Sequence, residues 1–569
     1  MRGSSTLGFM TPVLVTLVCF ALYLAGFHIY AKFLGRRVFQ LDSQAATPAH
    51  ELQDGIDYVP TNKYILFGHH FASIAGLSPM LGPAIAVIWG WVPAMFWVVF
   101  GTLFIGAVHD FGALVISMRA RGVSVGKVAE SIVGTRAKTL FHLIIFFLIA
   151  LAMGVFVHIC ATLLSSDYHP EAVYPSGTLM VIAIVVGWLV YKKKISIWRV
   201  TLVAFTVTLF SVWAGLRLPS IDLSLAWWSV LLLVYSFVAS ILPVWLLLQP
   251  RDYINSLLLY LGLISIFAGF FVLRPEFAAP AIQIQPEGAP PLFPFVFIVI
   301  ACGAISGFHG LVASGTTAKQ IDNESHATFI GYGGMIAESL LGLASVLACT
   351  AGFLTRDLWM EHYQSWELAS GLGPNMEAFI EGSALFISQL GLPLDLGRAF
   401  VALVAISFAL TTLDSATRLL RFNISEISET LRLPFLGYRP IASLLAVFVI
   451  GFFAFYKVNG EAAGLALWQL FGTTNQILGG LTLLAVTLYL MQRGRPYWYT
   501  GVPMVFMLIT TLPAMVIKIR DFWNGGAYLL LVLGGGIFLL SLWLAVEAIL
   551  RVLKDKRETL TAEPLTPDS

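Results

Sequence analysis

Apolar residues gather along this chain in long runs separated by short polar or basic loops. A bilayer core is crossed by about 20 apolar residues in a helix. Only helices and closed barrels satisfy every backbone polar group there. On that measure the runs number about 15. They lie near 9–33, 67–89, 92–118, 139–164, 177–191, 198–216, 226–248 and 254–273, then 293–315, 327–354, 397–416, 440–456, 462–490, 501–518 and 526–550. They predict an all-α integral membrane protein, a polytopic helical bundle filling residues 1–553. A short polar tail, 554–569, is expected to be disordered and cytoplasmic.

The loops carry a charge bias. Most of the 33 basic residues follow odd-numbered runs, among them Lys32, Arg36, Arg37, Arg119, Arg121, Lys127, Lys192, Lys193, Lys194, Lys319 and Arg493. Basic loops stay in the cytoplasm, which predicts an N-terminus outside and a C-terminus inside. The first run has only Arg2 before it and no clean cleavage site, so it is expected to remain as a helix. The stretch 355–396 holds Trp359, Tyr363 and Trp366 outside the membrane, as an interfacial helix, a lid or a plain connector.

Composition narrows the function. Charged residues make up 11% and hydrophobic ones 58%, far from a soluble protein. A net charge of +2 excludes nucleic acid as the main partner. Cys19, Cys160, Cys302 and Cys349 lie in apolar runs and read as small hydrophobes. No HExxH, CxxC, P-loop or GxSxG stands in the right surroundings. An enzyme, a metal site and a cofactor are therefore not expected.

Two runs share a pattern. Gly68-His69-His70-Phe71-Ala72-Ser73-Ile74-Ala75-Gly76 and Gly307-Phe308-His309-Gly310-Leu311-Val312-Ala313-Ser314-Gly315 both read Gly-x-His-x5-Gly. They fall in the second and ninth runs, an odd offset that makes them antiparallel. Matched, glycine-interrupted segments of opposite direction point to inverted repeats with two discontinuous helices around a transporter's binding site. Gly68, His69, His70, Gly76, Gly307, His309 and Gly315 are thus the substrate-binding candidates. Unwound amides there suit a carboxylate, and imidazoles bind or carry protons. The alternative is that each His is a packing strut.

Ionisable residues inside spans are costly and point to function. His109 and Asp110 stand alone in Trp91–Met118, and Glu338 stands alone between Ala327 and Thr350. All three are candidates for proton coupling, Asp110 having the alternative of anchoring Arg119. Thr411, Thr412 and Asp414 supply hard oxygens for a small cation such as sodium, unless Asp414 pairs with Arg418 or Arg421. Arg251 and Asp252 suit a cap or gate. Gly472-Thr473-Thr474-Asn475-Gln476 offers uncharged glue between helices. His142 and His158 read as lone core histidines.

Together these segments resemble the carbon starvation protein A (CstA) family. The resemblance rests on Phe67–Gly76, Gly106-Ala-Val-His-Asp-Phe111, Leu242–Tyr253, Ser306–Gln320, Thr411–Arg418 and Phe471–Gln476, which span 67–476. It implies a bacterial inner-membrane importer of peptides, active in carbon limitation and driven by protons. Within the same family it equally implies a proton/pyruvate symporter. It also implies a fold similar to the amino acid–polyamine–cation superfamily. Expected partners are the peptide or pyruvate, a proton (sodium as the rival) and the lipid bilayer. A non-transporting nutrient sensor is the contrasting reading.

Overall fold

The structure, a computed structural model, describes residues 11–458, 461–462 and 464–561. It is predominantly helical, with one short antiparallel strand pair, Lys457–Val458 against Glu461–Ala462. The chain begins with α1 (Pro12–Val38), whose first turn Thr11 caps by accepting the Leu14 amide at 3.3 Å. Next come α2 (Lys63–Ala75), α3 (Ser78–Trp89), α4 (Trp91–Arg119) and α5 (Thr135–Leu163). After them run α6 (Pro170–Lys192), α7 (Trp198–Gly215), α8 (Leu225–Ile241) and α9 (Leu248–Leu273). Two short helices, α10 (Leu292–Val299) and α11 (Gly307–Gly315), precede α12 (Glu324–Ala351). The remainder is α13 (Leu372–Ser388), α14 (Leu394–Leu431), α15 (Arg439–Ala454), α16 (Ala466–Gln492), α17 (Trp498–Asn524) and α18 (Tyr528–Thr561).

Among the described residues, 11 helices are long and apolar enough to span a membrane, or 12 with α2 and α3 taken as one bent span. The expected fifteen is not reached by that measure. The runs at 226–248 and 440–456 fold as the shorter helices α8 and α15, and 293–315 splits into α10 and α11. Residues 554–561 of the expected tail continue α18, while 562–569 lie outside the described residues.

Both interruptions exist, with different chemistry. The first bends α2 from α3 by 45°. Gly76 makes it, at φ +45°, a conformation L side chains rarely adopt, and a Cβ there would meet Thr412 Oγ1 of α14 at 2.8 Å. The second is the unwound segment 300–306. Its polar groups are met by side chains, as buried backbone requires. Trp97 Nε1 donates to Ile300 O at 3.1 Å and Thr102 Oγ1 to Gly303 O at 3.0 Å. Asn475 Oδ1 accepts the Phe308 amide at 2.9 Å.

The shared pattern therefore sits differently in the two halves. In α2 it precedes the break; in α11 it follows one. Gly68 abuts Ser256 of α9, Gly307 the Asn475 backbone of α16, and Gly315 the Leu419 side chain of α14. These three glycines allow close helix packing, and of the four only Gly76 turns the chain. Between α12 and α14 the stretch 355–396 is mostly helical. Trp359 and Tyr363 are buried against protein: Trp359 Nε1 donates to Cys349 O at 3.0 Å and the Tyr363 hydroxyl to Ala84 O at 2.8 Å.

Candidate functional site

Four helices and the unwound segment converge on one buried array. α2 contributes His70, α4 His109 and Asp110, α11 His309 at its first turn, α12 Glu338, and the segment before α11 Cys302. The five titratable side chains other than Cys302 are fully buried. His309 Nδ1 lies 3.2 Å from Asp110 Oδ2, and its Nε2 lies 3.3 Å from Glu338 Oε1. Asp110 Oδ1 is 2.8 Å from Nδ1 of its neighbour His109. A carboxylate–imidazole–carboxylate row thus crosses from α4 through α11 to α12, closed by a second imidazole.

This row has spare bonding capacity. Both His309 ring nitrogens, both Glu338 oxygens, Asp110 Oδ2 and His109 Nε2 lack a partner with hydrogen-bond geometry among the described residues. Buried charge costs several kcal/mol, on the order of 5, unless it is paired. Asp110 does not anchor Arg119, which instead reaches Glu324 at 2.5 Å. Cys302 is more than a small hydrophobe: its sulfur, a His309 nitrogen and a Glu338 oxygen lie within 4.8 Å of one another. Those donors suit a borderline divalent cation as well as a proton. No spacing in the sequence linked Cys302 to them.

His70 stands beside the row. Its Nδ1 meets Thr317 Oγ1 at 2.8 Å just past α11, leaving Nε2 without a partner. His69 turns the other way, its Nδ1 2.7 Å from Asp252 Oδ2.

Asp252 opens a second buried network. Arg251 contacts Asp252 Oδ1 at 2.8 Å through Nη2 and pairs with Asp414 through Nη1. The Tyr235 hydroxyl donates to Asp414 Oδ2 at 2.6 Å. Gln320 approaches His69 at 3.5 Å and accepts from Gln249 at 2.7 Å. The expected cation site is thus filled by a guanidinium. Asp414 pairs with Arg251 instead of Arg418 or Arg421, Thr411 accepts from Asn255 at 2.7 Å, and Thr412 donates to Ser73 O at 3.5 Å. Nor is His142 alone, lying 3.0 Å from Asn423 and 3.3 Å from Glu426.

Of the α11 amides, the one at Phe308 is already taken by Asn475. What the site offers is a buried row of carboxylates and imidazoles at the meeting of a bent helix and an unwound one. The carbon starvation protein CstA family profile matches residues 11–363 and 360–514. The chain belongs to that family. A Campylobacter jejuni relative named peptide transporter CstA is 33% identical over 580 residues, covering 90% of this chain and 81% of its own. An Escherichia coli K12 relative named pyruvate/proton symporter BtsT is 31% identical over 587 residues, covering 88% and 80%. Among solved structures, an Eremococcus coleocola manganese transporter aligns over 88% of this chain and 99% of its own, at 14% identity and TM-score 0.46. This CstA-family chain is a multi-pass membrane transport protein and not an enzyme.

Proposed function

We propose that this protein imports peptides across the bacterial inner membrane during carbon limitation, coupled to protons and working by alternating access. The observation that carries proton coupling is the buried Asp110–His309–Glu338 row, where one imidazole bridges two carboxylates on separate helices. Titratable chains of this kind inside a membrane mark proton relays. The filling of the Thr411–Asp414 site by Arg251 argues against sodium. Peptide as cargo follows the relatives so named, such as the C. jejuni protein. The basic loops support an orientation with the N-terminus outside and the C-terminus in the cytoplasm.

Pyruvate is the second reading, favoured by the E. coli relative named for it. The purified protein in proteoliposomes separates the two. Labelled di- and tripeptides and labelled pyruvate are offered under an inward proton gradient, then under sodium alone. Proton-driven, uncoupler-sensitive accumulation of peptide is the expected result. Accumulation of pyruvate alone selects the second reading. No accumulation by folded protein defeats both and favours a sensor.

A further inference from the structure

A cavity of about 200 Å³ opens beside the C-terminal half of α11, lined among others by Lys319, Glu426, Ser124, Asn423, Tyr58 and Ser314. Lys319 stands out within it. Its ammonium lies 4.3 Å from the Phe422 ring centre and 5.5 Å from that of Tyr58. Asp57 and Glu426 act on it electrostatically, yet no carboxylate reaches ion-pair distance and no oxygen accepts from it among the described residues. A half-buried ammonium that meets only ring faces keeps its hydrogen-bond donors available to whatever enters the cavity.

The same cavity also carries a carboxylate. Glu426 accepts from Ser124 Oγ at 2.9 Å and lies 3.3 Å from His142 Nε2. Asn423 adds a buried amide oxygen without a partner. One cavity is thus lined by the ammonium of Lys319, by Lys127 and by the carboxylate of Glu426, with neutral hydrogen-bonding groups beside them. It is below the roughly 300–1,000 Å³ usual for drug-sized ligands, so it suits a small solute.

We propose that this cavity is a substrate subsite for zwitterionic dipeptides, the peptide carboxylate meeting Lys319 and its ammonium meeting Glu426. The assignment rests on the peptide reading above. Pyruvate fits it worse, because a keto acid brings no ammonium to Glu426, whose charge then feels only the cavity's own lysines, Lys127 and Lys319. The loops around Tyr58 and Gly122 to Lys127 belong to the basic side of the protein, which makes this the cytoplasmic subsite. It is joined to the proton row through α11. That short helix carries His309 at its start and walls the cavity with Leu311, Ser314 and Gly315 at its end. Between them, a Cβ at Gly310 would lie 3.0 Å from the His109 ring, so α11 packs directly on the row.

The test measures binding to the purified full chain in detergent by calorimetry. The probes are dialanine, N-acetyl-dialanine, dialanine amide and pyruvate. Dialanine is expected to bind tightest, with either blocking group weakening it about tenfold or more, the worth of a charge-assisted contact. Lys319→Gln should erase the preference for the free carboxylate, Lys319→Arg should keep it, and Glu426→Gln should erase the preference for the free amine. Wild-type protein that binds blocked and free dipeptide equally overturns the subsite without needing any variant to fold. So does a parallel loss for all four probes in a variant whose melting temperature is unchanged. Peptide accumulation in proteoliposomes alongside either result leaves peptide import standing and the subsite rejected. Absence of peptide accumulation rejects both.

Discussion

Asn475 holds the start of the helix that carries His309. Its Oδ1 accepts the Phe308 amide at 2.9 Å, and its Nδ2 lies 2.9 Å from Ser306 Oγ. One side chain of α16 thereby caps α11 and fixes the last residue of the unwound segment. Removing a cap costs about 1 kcal/mol, and interhelical hydrogen bonds in membranes average about 0.6 kcal/mol. Asn475→Ala is therefore expected to lower the melting temperature modestly while disturbing the position of His309, so transport should fall by more than stability does. Thermal unfolding in detergent and proton-driven uptake, measured on one preparation, check this. Unchanged uptake would show that the cap does not position the row.

Arg251 is the hub of the other network, shared between Asp252 and Asp414. Truncating one partner of a buried ion pair costs about 3–5 kcal/mol because the remaining charge is stranded. Arg251→Met strands two carboxylates and should abolish folding or lower the melting temperature steeply. Asp414→Asn leaves Arg251 with Asp252 and Tyr235, so its cost should be smaller. Neither variant should acquire sodium-driven uptake. Sodium-dependent transport by the wild type would show that Arg251 vacates the site.

How far these sites were legible follows from what each depends on. The spans declare themselves through local composition, because lipid allows nothing but a closed hydrogen-bonded element. Asp110, Glu338 and His309 were visible for a related reason: an ionisable residue in an apolar run has no cheap alternative use. The repeated glycine-histidine pattern picked out His70 and His309, which the fold brings near one array, and His69, which it does not, and it misplaced the second break. It cannot tell Gly76, at φ +45°, from Gly307, which packs inside a helix. Asn475 was legible as interhelical glue but its partner was not, and Cys302 and the Arg251–Asp414 pair were out of reach, since their meaning comes from neighbours far along the chain. Lys319 looked like one more cytoplasmic cation until the fold placed it over Phe422 with no carboxylate in reach.

Outside the spans, His169 joins the start of α6 to α13. Its Nδ1 lies 3.0 Å from Glu171 and its Nε2 3.0 Å from Glu377. Burial alone would lower its pKa, but the two carboxylates outweigh burial and raise it from 6.5 to about 9. A raised folded-state pKa gives stability that is fully present below the unfolded value and is lost as pH rises through the folded one. The contribution, up to about 3 kcal/mol, should therefore hold near pH 6 and fade between pH 7 and 10. The melting temperature should drop across that window in the wild type. In His169→Gln the drop should shrink. An equal drop in both would place the alkaline sensitivity elsewhere.

The Asp110–His309–Glu338 row makes the sharpest demand. If it exchanges the coupling proton, a neutral isostere at either end freezes one protonation state without emptying the space. Glu338→Gln mimics the protonated carboxyl. It should keep substrate exchange across the membrane at zero gradient and lose proton-driven accumulation. Asp110→Asn removes the carboxylate shared by both imidazoles, which unsettles His109 as well as His309, so it should impair exchange and accumulation together. Substrate-dependent acidification of the vesicle lumen, read with a trapped pH dye, reports the proton directly. The wild type should acidify and both variants should not. A Glu338→Gln protein that still acidifies with substrate would remove Glu338 from the proton's path and leave His109, Asp110 and His309 to carry it.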